Sequence, residues 1–307
     1  MRISAQQGRL TIIAGMETNQ MTSSAQGASL RYCRVLTIAG SDSGGGAGVQ
    51  ADLKTFAALG CYGMSAITAL TAQNTVGVQA IHAVPASFLR QQIVSVIGDI
   101  GVDAVKIGML HEPGVVEVVA WAIDHFRLRN VVLDPVMVAT SGDRLIAAET
   151  VEVLVRELFP RVCVVTPNLD EASLLLGRPL TTAAHLPPAA RDLLSLGAKA
   201  VLLKGGHLAG DEVEDLLCWG AGEELSLRSP RIASRNVHGT GCTLSSAMAA
   251  HLALGEDLAS AVRHARAYIL RAIEAGASVR TGQGHGPLNH GHDPVPMRLR
   301  DAPTLSA

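Results

Sequence analysis

Aromatic side chains are scarce in this sequence, which has two Trp, three Tyr and four Phe among its 307 residues. Alanine, valine, leucine and glycine must therefore fill most of the interior, a composition typical of buried parallel strands under alanine-rich helices. The chain also has little net charge, −2 at pH 7. It thus lacks the electrostatic footprint of proteins that bind nucleic acids or anionic membranes, and we expect neither partner.

Paired cysteines and long apolar runs are missing as well. The five cysteines are odd in number and contain no CxxC spacing, which favours a reducing compartment. No apolar run reaches the length of a membrane span. The sequence has no Walker loop, GxxxxGK[ST], so any use of ATP must rely on another phosphate-binding loop. We expect a cytoplasmic globular protein.

The two ends of the chain differ from its middle. Residues 1–33 are rich in Gln, Ser, Thr and Gly without strong periodicity, and we interpret them as a disordered extension, with Met21 as a candidate start. Residues 291–307 contain Pro and Arg without a core pattern, which indicates a flexible tail. A single folded domain is predicted over residues 34–290.

Within that domain, short β-branched runs alternate with helical periodicity, beginning with a strand at 35–39 and a helix at 49–59. Repeated strand–helix units predict right-handed crossovers and a mostly parallel sheet covered on both faces. Further strands are predicted at 64–70, 104–107, 130–133, 162–165 and 200–203, helices at 86–98, 115–125, 148–158, 189–196, 243–254 and 258–275, and an antiparallel edge pair at 216–219 and 225–227.

One stretch, HGTGCT at residues 238–243, predicts a tight loop that leads into a helix. The unpaired N–H groups and the macrodipole at a helix start favour a bound anion. Gly239 and Gly241 let the backbone approach that anion without a Cβ in the way. The same field favours the thiolate form of Cys242, with a pKa nearer neutrality. A plain glycine turn before a core helix with a buried cysteine explains these residues equally well.

Polar side chains also follow the ends of most predicted strands, the edge at which open α/β sheets bind ligands. Asn168 and Glu171 have the spacing of a helix capping box. The same amide and carboxylate suit a hydrated Mg²⁺, and the two interpretations are compatible. The polar residues at this edge are Asp42, Gln73, Asn74, Lys106, Asp134, Asn168, Glu171 and Lys204.

Other enzyme classes fit parts of the sequence less well. The residues from Gly46 to Ala51 match a loose dinucleotide fingerprint, but the acid expected about 20 residues later is missing. Cys242 with His238 suggests a thiol hydrolase, yet no orienting acid follows from the sequence. The histidines at 285, 290 and 292 lack a cysteine or carboxylate to complete a metal site.

Seven motifs occur in a fixed order: TIAGSDSGGGAGVQAD (37–52), ALTAQNT (69–75), KIGML (106–110), TPN (166–168), KGGH (204–207), HGTGCT (238–243) and GQGHGPLNH (282–290). Together they resemble the hydroxymethylpyrimidine/phosphomethylpyrimidine kinases of thiamine biosynthesis, which have the ribokinase-like fold. The resemblance extends from about Val35 to His290. One departure is Val237, where such sequences often have Thr.

The resemblance implies a three-layer α/β/α sandwich with a mostly parallel central sheet. It implies transfer of the γ-phosphoryl group of ATP to the hydroxymethyl group of 4-amino-5-hydroxymethyl-2-methylpyrimidine, and then phosphorylation of the monophosphate to the pyrophosphate. Mg²⁺ and a homodimer are expected. The alternatives are a pyridoxal or pyridoxine kinase of the same fold and a non-catalytic pyrimidine sensor.

The resemblance also implies roles for individual residues. Cys242 is expected as the general base, where ribokinase relatives usually have Asp, with Gly239 and Gly241 completing the anion hole. Gln73 matches the family's pyrimidine-binding glutamine, and its amide suits an aminopyrimidine edge that pyridoxal lacks. The remaining expected residues are Asp52, Gly40, Ala47 and Met109 for the substrate, Lys204, Asn168 and Thr240 for ATP or phosphate, and Glu171 for the metal.

Overall fold

The computed structural model describes residues 30–137 and 146–302 of the chain. Its elements alternate between strands and helices for most of their length. In chain order they are β1 (Leu30–Tyr32), β2 (Arg34–Ala39), α1 (Gly48–Ala58), β3 (Tyr62–Ile67), β4 (Ala69–Gln73), β5 (Val78–Ala83), α2 (Ala86–Asp99), β6 (Ala104–Ile107), α3 (Pro113–His125), β7 (Val131–Leu133), α4 (Ala148–Leu158), β8 (Val164–Val165), α5 (Leu169–Leu176), a 3₁₀ turn (Ala183–His185), α6 (Leu186–Ser195), β9 (Ala200–Leu203), β10 (Glu212–Trp219), β11 (Glu223–Pro230), α7 (Thr240–Ala253), α8 (Leu258–Gly276) and β12 (Leu299–Asp301).

An eight-stranded sheet forms the centre of the fold, in the order β11-β10-β9-β8-β7-β6-β2-β3. The strands from β9 to β3 run parallel, and β10 and β11 add an antiparallel edge. Helices cover both faces, with one apolar core under α2 to α6 and a second under α1, α7 and α8. The expected three-layer sandwich is confirmed, including its antiparallel edge pair.

Short apolar runs locate the central strands well. The predicted strands at 104–107 and 200–203 and the helix at 148–158 match the structure residue for residue, and all four residues of β6 and of β9 are buried. Several boundaries differ by two to three residues. Helix α6 starts at Leu186, before its two prolines, because proline is tolerated in a first helical turn.

The predicted strand at 64–70 is wrong as a single element. Thr68 interrupts it: its N–H donates to Ala39 O, and its Oγ1 donates to Met109 O, 2.8 Å away. After this break β4 turns away from the central sheet and pairs antiparallel with β5 in a separate two-stranded sheet. The hairpin brings Gln73 to the same edge as the ends of β2 and β6.

The ends of the chain are also more ordered than expected. Strand β1 pairs with β12 over three residues, and Tyr32 stacks on Tyr62 with the ring centroids 6.1 Å apart. The N–H of Val295 donates to Ala58 O. The disordered extension is therefore wrong for residues 30–33, and the flexible tail is wrong for residues 295–301. Residues 1–29, including Met21, lie outside the described residues. Among the helices described, none has the length and apolar character that a bilayer crossing requires.

Candidate active site

A cleft of about 760 Å³ opens at the carboxyl ends of the parallel strands. It lies where the chain order of the strands reverses, since β2 connects through α1 to β3 on one side and has β6 on the other, which is the usual ligand position in open α/β sheets. The cleft collects nearly all the residues that the sequence singled out. Its lining includes Gly40, Ala47, Gln73, Met109, Asn168, Glu171, Lys204, Gly239, Thr240, Gly241 and Cys242.

The start of α7 has the predicted local structure, a tight loop that leads into a helix. Gly239 has φ +84°, and a Cβ there would lie 1.9 Å from Gly46 O, so only glycine lets this loop pack on the glycine-rich loop after β2. The N–H of Thr240 donates to Val237 O. Within the described ranges, no acceptor pairs with the N–H groups of Gly241 and Cys242. Two donors at a helix start are therefore available to an anion.

The expectation of a near-neutral pKa for Cys242 is wrong. Burial raises the pKa of its thiol to about 11, and the negative charges of Asp52 and Asp134 add to the rise. The ammonium group of Lys106 and a hydrogen bond from the backbone of Gly48 oppose the rise without cancelling it. The sequence prediction considered only the field of the helix on which Cys242 lies. Burial and the charges of Asp52 and Asp134, which raise the pKa of the thiol, come from other elements of the fold. Cys242 is a thiol at neutral pH.

Two acids and a lysine form a buried cluster beside the helix start. Lys204 Nζ lies 2.9 Å from Asp134 Oδ1 and 4.0 Å from Glu171 Oε2. Burial opposes the charge on Asp134, but the ammonium groups of Lys204 and Lys106 outweigh it and lower the pKa. Burial raises the pKa of Glu171 to about 7, Lys204 opposes this rise, and the charge of Asp134 adds to it.

Asn168 and Glu171 form the predicted capping box at the start of α5. The N–H of Glu171 donates to Asn168 Oδ1 at 2.9 Å, and the N–H of Asn168 donates to Glu171 Oε2 at 2.8 Å. The capping box uses Oε2 of Glu171 and not Oε1. Asn168 and Glu171 both line the cleft. Buried carboxylate oxygens of this kind are the ligands that Mg²⁺ prefers. The residues present therefore fit the metal.

The structure places Asp52 out of reach of any substrate, so its expected contact with the pyrimidine is wrong. Asp52 is fully buried beneath the cleft, where Lys106 Nζ lies 2.9 Å from its Oδ2. Thr37 and Ser246 each donate a hydroxyl hydrogen bond to the same carboxylate at 2.6 Å. Lys106, not Asp52, reaches the cleft. Burial lowers the pKa of Lys106, but the charge of Asp52 outweighs it and raises the pKa.

Gln73 reaches the cleft from the β4–β5 hairpin, close to a buried contact between His238 and Asp42. His238 Nε2 lies 2.9 Å from Asp42 Oδ2 and 3.5 Å from Gln73 Nε2. The carboxylate of Asp42 also accepts the N–H groups of Gly46 and Ala47 and so holds the glycine-rich loop against the loop of α7. Burial opposes the charge on Asp42, but His238 and these donors outweigh it and lower the pKa.

The remaining expected substrate residues lie together. Met109 follows β6 and packs on Gly40, where a Cβ would stand 2.5 Å from the methionine Cε. Ala47 and Gly40 flank the glycine-rich loop, and all three line the cleft. The small residues give this part of the wall a flat surface, beside which a planar ring can lie.

Sequence reasoning placed Lys106, Asp134 and Asp42 at the sheet edge but gave them no role. A lysine inside an apolar four-residue strand is a usable signal, because such a charge is buried only with a partner. The link between Asp42 and His238 spans 196 residues. Nothing local to either loop indicates it.

Comparison with known proteins points to one group of enzymes. A family model described as phosphomethylpyrimidine kinase matches residues 42–289. A hydroxymethylpyrimidine/phosphomethylpyrimidine kinase of Rhizobium meliloti is 51% identical over 260 residues, covering 84% of this chain and 96% of the relative. The thiamine biosynthesis bifunctional protein ThiED of Geobacter sulfurreducens is 52% identical over 257 residues, 83% of this chain, which spans only 52% of that longer protein.

Solved structures share the fold. The ADP complex of a pyridoxal kinase from Bacillus subtilis superposes with a TM-score of 0.79 at 38% identity, covering 85% of this chain and 98% of the other. A phosphomethylpyrimidine kinase from Clostridium difficile gives a TM-score of 0.68 at 41% identity, covering 78% and 99%. The fold is thus common to kinases with different substrates, and the residues of the cleft must separate them.

Proposed function

The chain belongs to the phosphomethylpyrimidine kinase family, and we propose that its reaction takes place in the cleft at the start of α7. It is an ATP-dependent kinase of hydroxymethylpyrimidine and of its monophosphate, in thiamine biosynthesis. One observation carries the assignment of the site. The two unpaired N–H groups of Gly241 and Cys242 face the same cleft as the Asp134–Lys204–Glu171 cluster and Gln73.

The helix start and Lys204 hold the transferring phosphoryl group. The backbone N–H groups of Gly241 and Cys242 stabilise the negative charge that develops on the phosphoryl group, and Gly239 allows this group to approach closely. One such donor typically contributes a factor of ~10²–10³ to the rate. Lys204 adds a full positive charge, which its acidic neighbours hold in place. Thr240 and Asn168 line the same cleft, and we assign to them contacts with the phosphates of ATP.

Cys242 accepts the proton of the attacking hydroxyl group. As the hydroxymethyl oxygen attacks the γ-phosphorus, the bond to the bridging oxygen breaks, ADP leaves, and the proton moves to the sulfur of the thiolate. The thiol pKa of about 11 makes that thiolate a minor form at neutral pH. Lys106, held by Asp52 below the cleft, is the cation that favours it. The rate of transfer therefore rises with pH.

Glu171, with Asp134 beside it, is the residue that would hold Mg²⁺. When bound there, the ion supplies charge neutralisation for the phosphates of ATP. The two carboxylates would supply oxygen ligands to the ion, and Asn168 holds Glu171 in place through the capping box. Lys204 then balances the remaining charge of the cluster.

The pyrimidine lies against Gln73 with its ring over the wall formed by Gly40, Ala47 and Met109. A carboxamide offers one donor and one acceptor side by side, which matches the ring nitrogen and amino group of an aminopyrimidine. His238 stands next to this amide at 3.5 Å. Pyridoxal has no such edge, so a pyridoxal kinase, the second candidate favoured by the fold, would not use Gln73 in this way.

A homodimer and a cytoplasmic location complete the proposal. The β4–β5 hairpin and α2 leave large apolar side chains uncovered, a feature of protein–protein contact surfaces. A second copy of the chain would bury them. All five cysteines are free, in keeping with a reducing compartment. The uncovered residues include Leu70, Val76, Ile81 and Phe88, which are 38–66% exposed.

Product analysis tests the roles in this cleft. The purified chain is incubated with hydroxymethylpyrimidine, labelled ATP and Mg²⁺, and the mono- and diphosphate products are separated over time. We expect the monophosphate first and the diphosphate after it. Cys242→Ser should keep the fold and ATP binding while losing most turnover, because a serine hydroxyl is a much weaker acid than a thiol and ionises far less often. Turnover of that variant at the wild-type rate would remove Cys242 from the role of base.

A further inference from the structure

Three side chains that can ligate metals converge at the end of α7 farthest from the cleft. His251 lies in the last turn of α7, Glu256 in the loop that follows, and His264 in the second turn of α8. His251 Nδ1 is 2.9 Å from Glu256 Oε1, and His264 Nδ1 is 2.7 Å from Glu256 Oε2. His251 comes nine positions after Cys242 in α7, about 14 Å along the helix axis. The cluster is therefore distinct from the active site.

The ligand atoms have the spacing that a small tetrahedral ion needs. All of them lie within 4.8 Å of one another. Ligand distances of about 2.1 Å around a tetrahedral ion place its ligand atoms about 3.4 Å apart. The two short nitrogen–oxygen contacts involve different oxygens of Glu256, so the side chains must rotate for one carboxylate oxygen and both imidazoles to meet one ion. Side-chain rotation suffices, because His264 is more than half exposed.

Backbone turns and hydrogen bonds hold the three residues in place. Gly255 turns the chain with φ +91°, and the N–H of Glu256 donates to His251 O at 3.2 Å. The side chain of Asp257 then caps α8 by accepting the N–H of Ser260. The imidazole rings of His251 and His264 lie 5.2 Å apart across the helix pair. A site that is formed in advance loses little entropy on binding.

The environment of the cluster suits a cation that arrives from solvent. His264 and Glu256 lie at the surface and leave an open side for entry. Two imidazoles and one carboxylate are the ligands of several zinc enzymes, with water in the fourth position, whereas Mg²⁺ prefers oxygen ligands.

We propose that His251, Glu256 and His264 form a binding site for a divalent transition-metal ion of the zinc type, with water as its fourth ligand. The ion would join the end of α7 to α8. Binding would replace the two contacts of Glu256 with the imidazoles by three bonds to one centre. The site is independent of the ATP-dependent reaction and of the Mg²⁺ expected in the cleft.

Zinc binding to the metal-free full-length chain tests this proposal. Zn²⁺ is titrated against a chromophoric chelator, and we expect one ion per chain at the site. His264→Asn should weaken binding at least tenfold, because it removes a ligand from an exposed position that folding does not require. His207→Asn is the matched control, since His207 forms a comparable exposed contact with a single acid, Asp170, at 2.8 Å. It should leave zinc binding unchanged.

A second readout separates this site from zinc captured by a cysteine. Co²⁺ bound at the cluster should give the visible spectrum of tetrahedral nitrogen and oxygen ligands, without the sulfur-to-cobalt charge-transfer absorption of a thiolate. Zn²⁺ should also raise the melting temperature of the wild type and of His207→Asn but not of His264→Asn. Equal zinc affinity in His264→Asn and the wild type, or a cobalt spectrum dominated by sulfur, would overturn the proposal.

Discussion

Replacing Glu171 by glutamine isolates the charge at the centre of the candidate metal site. Glutamine keeps the shape of the side chain and an oxygen that can accept the N–H of Asn168, but it cannot ionise. The pKa of Glu171 is about 7 in the fold, against an ordinary value of 4.5. A carboxyl with a raised pKa favours folding while protonated, so its contribution is lost as the pH rises from about 4.5 through about 7.

The structure sets the size of this effect. One pKa unit corresponds to 1.36 kcal/mol, so the charged form of Glu171 costs the fold on the order of 3 kcal/mol at pH 8. Glu171→Gln removes that cost. Relative to the wild type, the variant should therefore gain stability between pH 5 and pH 8, up to that order of magnitude. Mg²⁺ with a nonhydrolysable ATP analogue should relieve the same cost in the wild type and do less for the variant.

Urea denaturation of both proteins at pH 5, 6, 7 and 8 measures the difference, with and without Mg²⁺ and the analogue. Glu274→Gln serves as the control. Glu274 is exposed on α8, so this substitution removes a carboxylate from solvent rather than from a buried site. The reasoning would be refuted by a stability difference between Glu171→Gln and the wild type that stays constant from pH 5 to pH 8.

Three further substitutions test the buried ion pair, the pyrimidine contact and the exposed hairpin. Asp52→Asn leaves Lys106 buried without its partner and should cost about 3–5 kcal/mol in the free energy of unfolding, measured with urea; a loss below 1 kcal/mol would contradict the buried pair. Gln73→Leu should raise KM for hydroxymethylpyrimidine about tenfold by removing two hydrogen bonds, with KM for ATP unchanged; equal effects on both would contradict its place at the pyrimidine. Leu70→Glu on the exposed hairpin should shift a dimer to monomers in sedimentation, and an unchanged sedimentation profile would contradict that interface.

The central sheet was predictable from the sequence because each inner strand is a short apolar run followed by a polar residue or glycine. The strand at 104–107 is the clearest case, since all four residues are buried and Gly108 follows. The break at Thr68 was not predictable, because residues 64–70 are mostly apolar and neither Ser65 nor Thr68 is a turn former such as Gly or Pro. The strand ends there through hydrogen bonds to Ala39 and Met109, which are distant in sequence.

The candidate site also has some features that could be predicted from the sequence and others that could not. Local spacing correctly indicated the helix start at Gly239–Cys242 and the capping box of Asn168 and Glu171, since both depend on neighbouring residues. The place of Asp52 and the pKa of Cys242 depend on charges from elements far away in the chain. Lys106 is 54 residues from Asp52, and periodicity carries no information about such a pair.

Turnover on three candidate substrates tests the central claim most directly. ATP consumption by the purified chain is measured with Mg²⁺ and hydroxymethylpyrimidine, its monophosphate or pyridoxal, each in parallel. The account predicts turnover on both pyrimidines and little on pyridoxal. Turnover on pyridoxal alone would keep the anion site but contradict the role of Gln73, and pyrimidine binding without any turnover would contradict the catalytic assignment of the cleft.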